Sequence, residues 1–259
     1  MTTILEMEQV SKRVSTQGET ERVLLNAIHL SVKKGDFVTV LGGNGAGKST
    51  LFNSIAGSTS LSQGRVSING QNITKWEEEK RAKYVSRVFQ DPKMGTAPRM
   101  TVGENLLLAL KRGEKRTLLP RSMKTHKPSF AELCKQAGNG LENHLDTPTE
   151  FLSGGQRQSL SLLMATLKDP SLLLLDEHTA ALDPQTSKRL MQLTDEVIRE
   201  RELTCLMITH RMEDALDYGN RLIVLEEGSI KYDLNESDKS KLSVEDLLHL
   251  FEREETVYA

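Results

Sequence analysis

Phe37-Val-Thr-Val-Leu41-Gly42-Gly43-Asn44-Gly45-Ala46-Gly47-Lys48-Ser49-Thr50 passes from an apolar strand, through a glycine-rich loop, into the helical run Leu51 to Ala56. The loop fits GxxxxGK[ST], and its setting between strand and helix is the one the chemistry requires. Glycines let the backbone wrap an anion with its N–H groups inward, and the following helix N-terminus adds its dipole. Lys48 supplies a point charge for the β and γ phosphates, and the Ser49 hydroxyl a ligand for Mg2+. Gly42, Gly43, Asn44, Gly45, Ala46, Gly47, Lys48, Ser49 and Thr50 are therefore expected to bind a nucleoside triphosphate. The alternative is a glycine-rich structural turn.

Such a nucleotide needs a second magnesium anchor, typically a carboxylate at the C-terminal end of a buried strand. Leu172-Leu-Leu-Leu-Asp176 ends in one, and Glu177 follows at once. Alternation along an extended chain would send the two carboxylates to different tasks. Asp176 is assigned to the Mg2+ shell, through water, and Glu177 to orienting and deprotonating the attacking water. Without the upstream cradle, ordinary solvated strand-end charge would be the default reading.

A second small-residue loop, Leu152-Ser153-Gly154-Gly155-Gln156, precedes the helical run Arg157 to Lys168. It too presents backbone N–H groups and a hydroxyl at a helix N-terminus, but no lysine. Two cradles with one set of metal and base residues suggest that the second completes a site. Ser-Gly-Gly also caps helices for structural reasons alone, and both readings stay open.

The rest of the chain bounds the answer. Its 259 residues are 37% hydrophobic and 27% charged, the balance of one or two globular domains and not of a disordered tail. A net charge of −2 disfavours a binder of nucleic acid, and no apolar run approaches the roughly 20 residues of a membrane span. The acidic start, Met1-Thr-Thr-Ile-Leu-Glu-Met-Glu, lacks a signal-peptide pattern, and a cytosolic chain is expected. Cys134 and Cys205 stand apart with no CxxC, indicating neither a disulfide framework nor a thiol metal site. Short strands dominate to about Asn69; candidate helices Asn105 to Leu110, Phe130 to Ala137 and Gln156 to Lys168 follow; β/α alternation resumes after Pro170. Residues 111–128, basic and with two prolines, read as a mobile solvent-facing insertion. A hairpin turning at Glu227-Gly228, a solvated linker over Asn235 to Lys241 and a terminal helix Ser243 to Phe251 end the chain.

Together these stretches resemble the nucleotide-binding subunits of ATP-binding cassette (ABC) transporters. Lys48 and its glycines resemble the Walker A loop, Gln90 after Tyr84 to Phe89 the Q-loop, and Leu172 to Glu177 Walker B. Leu152 to Gln156 is identical to the LSGGQ signature, Ala180-Ala-Leu-Asp183 resembles the D-loop, and His210 the switch histidine. The resemblance implies an α/β P-loop NTPase with a mixed sheet core (about 1–90 and 166–235), an antiparallel β subdomain, an inserted helical subdomain (about 91–165) and a C-terminal hairpin and helix (about 221–259). It implies a transport-coupled ATPase using ATP and Mg2+, with Glu177, His210 and Gln90 catalytic, and Ser49, Gln90 and Asp176 around the metal. It further implies a head-to-tail homodimer in which each ATP lies between one chain's Walker A loop and the other's signature loop. The partners implied are transmembrane permease subunits and an extracellular solute-binding protein, with the chain on the cytoplasmic face of a bacterial membrane; no nucleic acid partner is expected.

Two departures stand out. His178 takes the position where the family usually has proline, and Asp176-Glu-His-Thr-Ala-Ala-Leu-Asp-Pro184 resembles a bacterial subgroup that accompanies amino-acid-type importers. For His178 itself packing is favoured over a proton path. Val14 stands where an aromatic residue often stacks on adenine, so tolerance of GTP is expected. A soluble ABC ATPase acting on ribosomes or DNA, and an exporter subunit, are the alternatives.

Overall fold

The structure, a computed structural model, describes residues 2–15, 21–114 and 123–252. The chain begins β1 (Thr3–Val14), β2 (Arg22–Lys33), β3 (Phe37–Gly42), α1 (Lys48–Ala56), β4 (Gln63–Ile68), β5 (Gln71–Asn72), α2 (Glu78–Arg81) and β6 (Val85–Val88). It continues through α3 (Val102–Leu110), α4 (Met123–Lys135), α5 (Gly154–Thr166), β7 (Leu172–Asp176), α6 (Pro184–Glu200) and β8 (Cys205–Ile208). The last elements are α7 (Met212–Asp217), β9 (Arg221–Glu226), β10 (Ser229–Asn235), α8 (Glu236–Lys239) and α9 (Val244–Glu252). Two compact units result: Met1–Ile55 with Thr59–Thr74 and Cys205–Ala259, and Ala56–Ser58 with Lys75–Thr204.

In the first unit an antiparallel sheet of order β2-β1-β4-β5 accompanies the mixed run β10-β9-β3-β8. β3 is parallel to both β8 and β9, and β10 returns antiparallel along β9. β3 is an inner strand, and Phe37 to Leu41 are all buried, as in a parallel strand covered on both faces. The β9–β10 hairpin turns at Glu227 (φ 45°) and Gly228 (φ 77°), as its Glu-Gly pair predicts. α7 and α9 close over this sheet through Ala215 and Leu247, packed with Leu41, Leu222 and Val224.

In the second unit β6 and β7 pair in parallel, Val85 opposite Leu172 and Val88 opposite Leu175. The four leucines of β7 are fully buried. Thr101 and Glu104 form a capping box at the start of α3, so that helix starts earlier than its apolar run alone indicates. The α/β class, with a mixed sheet, an antiparallel sheet and a run of helices before β7, is the one expected.

Three local readings are corrected. Residues 123–128, read as part of a mobile insertion, are the first half of α4, which carries Pro128 inside it; 115–122 lie outside the described residues. His126 stacks on Phe130 at 5.6 Å, and Phe130, Leu133 and Cys134 are buried, so tertiary packing overrides the charge and the proline. Asn235 to Lys241 is not a solvated linker. Asn235 caps α8, and buried Lys239 donates hydrogen bonds to the carbonyls of Tyr218 and Gly219. Burial pulls the Lys239 ammonium down to about 8. Finally, Glu177 does not continue the strand: its φ is 43°, so a left-handed turn, not strand alternation, separates its direction from that of Asp176.

Candidate nucleotide-binding site

The glycine-rich loop occupies the carboxyl end of β3 in the first unit. Gly42 is required by close approach, since a Cβ there would lie 2.5 Å from the Leu225 carbonyl oxygen. Gly47 has a φ of 99°, and its Cβ would meet the Leu24 oxygen at 2.7 Å. Strand β2 and the hairpin turn thus clamp the loop from outside; the Gly228 N–H donates to the Ala46 carbonyl at 3.1 Å. Lys48 curls over the loop, its Nζ donating to the carbonyls of Gly42 (2.6 Å) and Gly43 (3.1 Å). This places the cation at the mouth of the cradle, where a phosphate would meet it.

Register places His210 beside this loop. Val40 pairs with Ile208, so Gly42 and His210 each lie two residues beyond a matched pair at the same end of neighbouring strands. His210 is exposed. Val14 lies opposite Arg22 on β2, and an Arg22 guanidinium nitrogen comes within 3.8 Å of where a Gly45 Cβ would stand. Sequence reasoning missed that second cation; only the β1–β2 register reveals it.

In the second unit the carboxyl ends of β6 and β7 gather Gln90, Asp176 and Glu177, since Val88 is level with Leu175. Arg87 Nη2 bonds Asp176 Oδ2 at 2.5 Å, with both side chains largely buried (12% and 15% exposed). This partner was also missed. An arginine inside the apolar strand Val-Ser-Arg-Val was a signal, because a buried cation needs a carboxylate. His178 is fully buried; its Nε2 lies 3.0 Å from Thr194 Oγ1, and burial depresses its pKa to about 4.

Ser153 caps α5: its Oγ accepts from the Gln156 N–H and Gln156 Oε1 accepts from the Ser153 N–H, both at 3.2 Å. Gly155 packs so tightly that a Cβ would sit 2.5 Å from Thr186 Cγ2. Asp183 caps α6, and the Thr186 hydroxyl and N–H hold its carboxyl below the usual range. Asn139, Ser153, Gly155, Asp183, Thr186 and Arg189 line an open cavity of about 360 Å³. Ser153, Gly154, Gly155 and Asp183 are thus brought together within one unit.

Among the described residues no cluster of three or more His, Cys, Asp or Glu is arranged to hold a metal. The oxygen donors assigned to one, the Ser49 hydroxyl, the Gln90 carbonyl and the Asp176 carboxylate, suit Mg2+, which commonly arrives bound to phosphates and retains water. Among the described residues no helix is long and apolar enough to cross a membrane.

The family model described as ABC transporter matches residues 25–180, more than half of the chain. A curated relative, the tyrosine transport ATP-binding protein of Clostridioides difficile (strain R20291), is 43% identical over 96% of this chain and 99% of its own. The thiamine import ATP-binding protein ThiQ of Histophilus somni (strain 129Pt) is 35% identical over 78% of this chain and 87% of its own. Among solved structures, the dimeric post-hydrolysis state of the ATP-binding cassette MJ0796 bound to ADP and Pi superposes with a TM-score of 0.78. It is 26% identical and covers 90% of this chain and 99% of that one.

Proposed function

Because the chain belongs to the ABC transporter family and is an ATPase, we propose that it is the energy-supplying subunit of an importer for a small solute, an amino acid foremost. The amino-acid direction is supported by the 43% identity to a tyrosine transport ATP-binding protein and by the Asp-Glu-His-Thr sequence at 176–179. Two chains pack head to tail and separate permease subunits receive the motion at the cytoplasmic face of the membrane, with residues 91–165 as the helical subdomain and an extracellular binding protein delivering the solute.

The observation that carries this reading is the pair of cradles. One has Lys48 at its mouth; the other, capped by Ser153 beside a cavity, has no lysine. In the proposed dimer the Ser153 hydroxyl and the Gly154 and Gly155 amides bind the γ-phosphate held by the partner's Lys48 loop. Glu177 takes the proton of the attacking water, and His210 holds that water and the γ-phosphate by hydrogen bonds. Ser49, Gln90 and Asp176 would hold Mg2+, which would supply positive charge to offset that of the phosphates. Loss of the shared phosphate removes the contact that closes the dimer, which converts hydrolysis into movement.

The test is to tag the chain in its native cell, solubilise the membranes gently and identify what is recovered with it. A multi-span permease, together with amino-acid uptake that a Lys48→Ala allele abolishes, is the expected result. Recovery of ribosomes or repair proteins without a permease would overturn the importer reading.

A further inference from the structure

Arg87 sits in the middle of β6, between Ser86 and Val88, both buried, and reaches along the strand end to Asp176. Its guanidinium carbon lies 4.8 Å from the centre of the Phe89 ring. The Phe89 carbonyl in turn accepts from Nε2 of Gln158, a buried residue of α5. The guanidinium therefore lies over an aromatic face and bonds the carboxylate. In such a poorly solvated place a carboxylate helps to make the cation tolerable, and the two act as a pair.

We propose that Arg87 is a resident counter-cation of Asp176 that Mg2+ must compete with, so that Arg87 sets how much Mg2+ the cassette needs to load nucleotide. The inference rests on the assignment of Asp176 to the metal shell. Asp176 Oδ2 is already committed to Arg87 Nη2, and a fixed positive charge at that distance opposes the arrival of a second cation.

The test measures the affinity of the full-length protein for AMP-PNP by calorimetry, in EDTA and at stepped Mg2+ concentrations. Arg87→Met lowers the Mg2+ concentration for half-maximal tightening by about fivefold or more, since a repelling charge is removed, while affinity in EDTA is unchanged. Arg87→Gln, which keeps a donor for Asp176 but no charge, serves the same comparison if the methionine variant does not fold. An unaltered or increased Mg2+ requirement in the folded variant overturns the inference. Asp176→Asn, measured in parallel, raises the requirement if Asp176 is a metal ligand. Should it leave the requirement unmoved, the assignment of Asp176 fails and the inference with it. Should it raise the requirement while both Arg87 variants leave it unmoved, the inference about Arg87 alone fails.

Discussion

His178, the residue after the proposed catalytic base, is tied to Thr194 on α6 with a defined direction of donation. The Thr194 hydroxyl spends its one proton on the Leu190 carbonyl at 2.7 Å, so His178 Nε2 is the donor of the 3.0 Å bond between them. A neutral imidazole with its proton on Nε2 therefore anchors the turn in which Glu177 takes its left-handed conformation.

That anchor has a pH signature. The pKa of His178 is depressed from 6.5 to about 4 by burial, so between those values the unfolded chain binds a proton that the folded one refuses. Stability therefore falls as pH drops from 6.5 towards 4, by about 3 kcal/mol from this residue alone. Urea unfolding at stepped pH checks this, and His178→Gln flattens the slope in that window.

Thr194→Val removes the acceptor and leaves the buried Nε2–H without one, at a cost of about 1–3 kcal/mol. With the Glu177 turn loosened, kcat falls about tenfold or more while KM for ATP stays within about twofold. Steady-state kinetics beside thermal unfolding separate the two effects.

Gly155→Ala forces a methyl group against Thr186 Cγ2, where a Cβ has only 2.5 Å. The signature cradle must shift away from α6, and turnover drops by about 100-fold because a phosphate donor is misplaced. Nucleotide affinity of the monomer, measured by equilibrium binding, is unchanged.

Lys239→Met removes two hydrogen bonds from an ammonium to the carbonyls of Tyr218 and Gly219. The variant is destabilised by about 2 kcal/mol in urea. Limited proteolysis cuts first after residue 235, because the tie of α8 to the end of α7 is gone.

Val14, in the position where an aromatic residue often stacks on adenine, offers no ring to a base, so weak base recognition is expected. GTP competes with ATP for the protein with an affinity within about tenfold of ATP's, and competition binding with the two nucleotides measures the ratio.

Short-range signals were the legible ones. The glycine loop at 42–47, the leucine strand 172–175 and the capped signature loop at 153 each write their structure into adjacent residues, and their elements lie where the sequence puts them. What was illegible depends on partners distant in the chain. Residues 123–128 look like a loop by charge and proline content, yet Phe130, Leu133 and Cys134 bury one face of α4. Lys239 looks solvated until Tyr218 and Gly219 offer their carbonyls from the end of α7. The Glu177 turn, the Arg87 pairing and the approach of Arg22 to Gly45 were hidden in the same way, by register and by backbone angle.

In the proposed mechanism two chains share each ATP, and Glu177 completes its hydrolysis. Light scattering of purified Glu177→Gln protein with saturating ATP and Mg2+ tests it most directly. A stable dimer is expected, one that disperses to monomers when Ser153→Arg is added to the same chain. A Glu177→Gln protein that binds ATP and stays monomeric would contradict it.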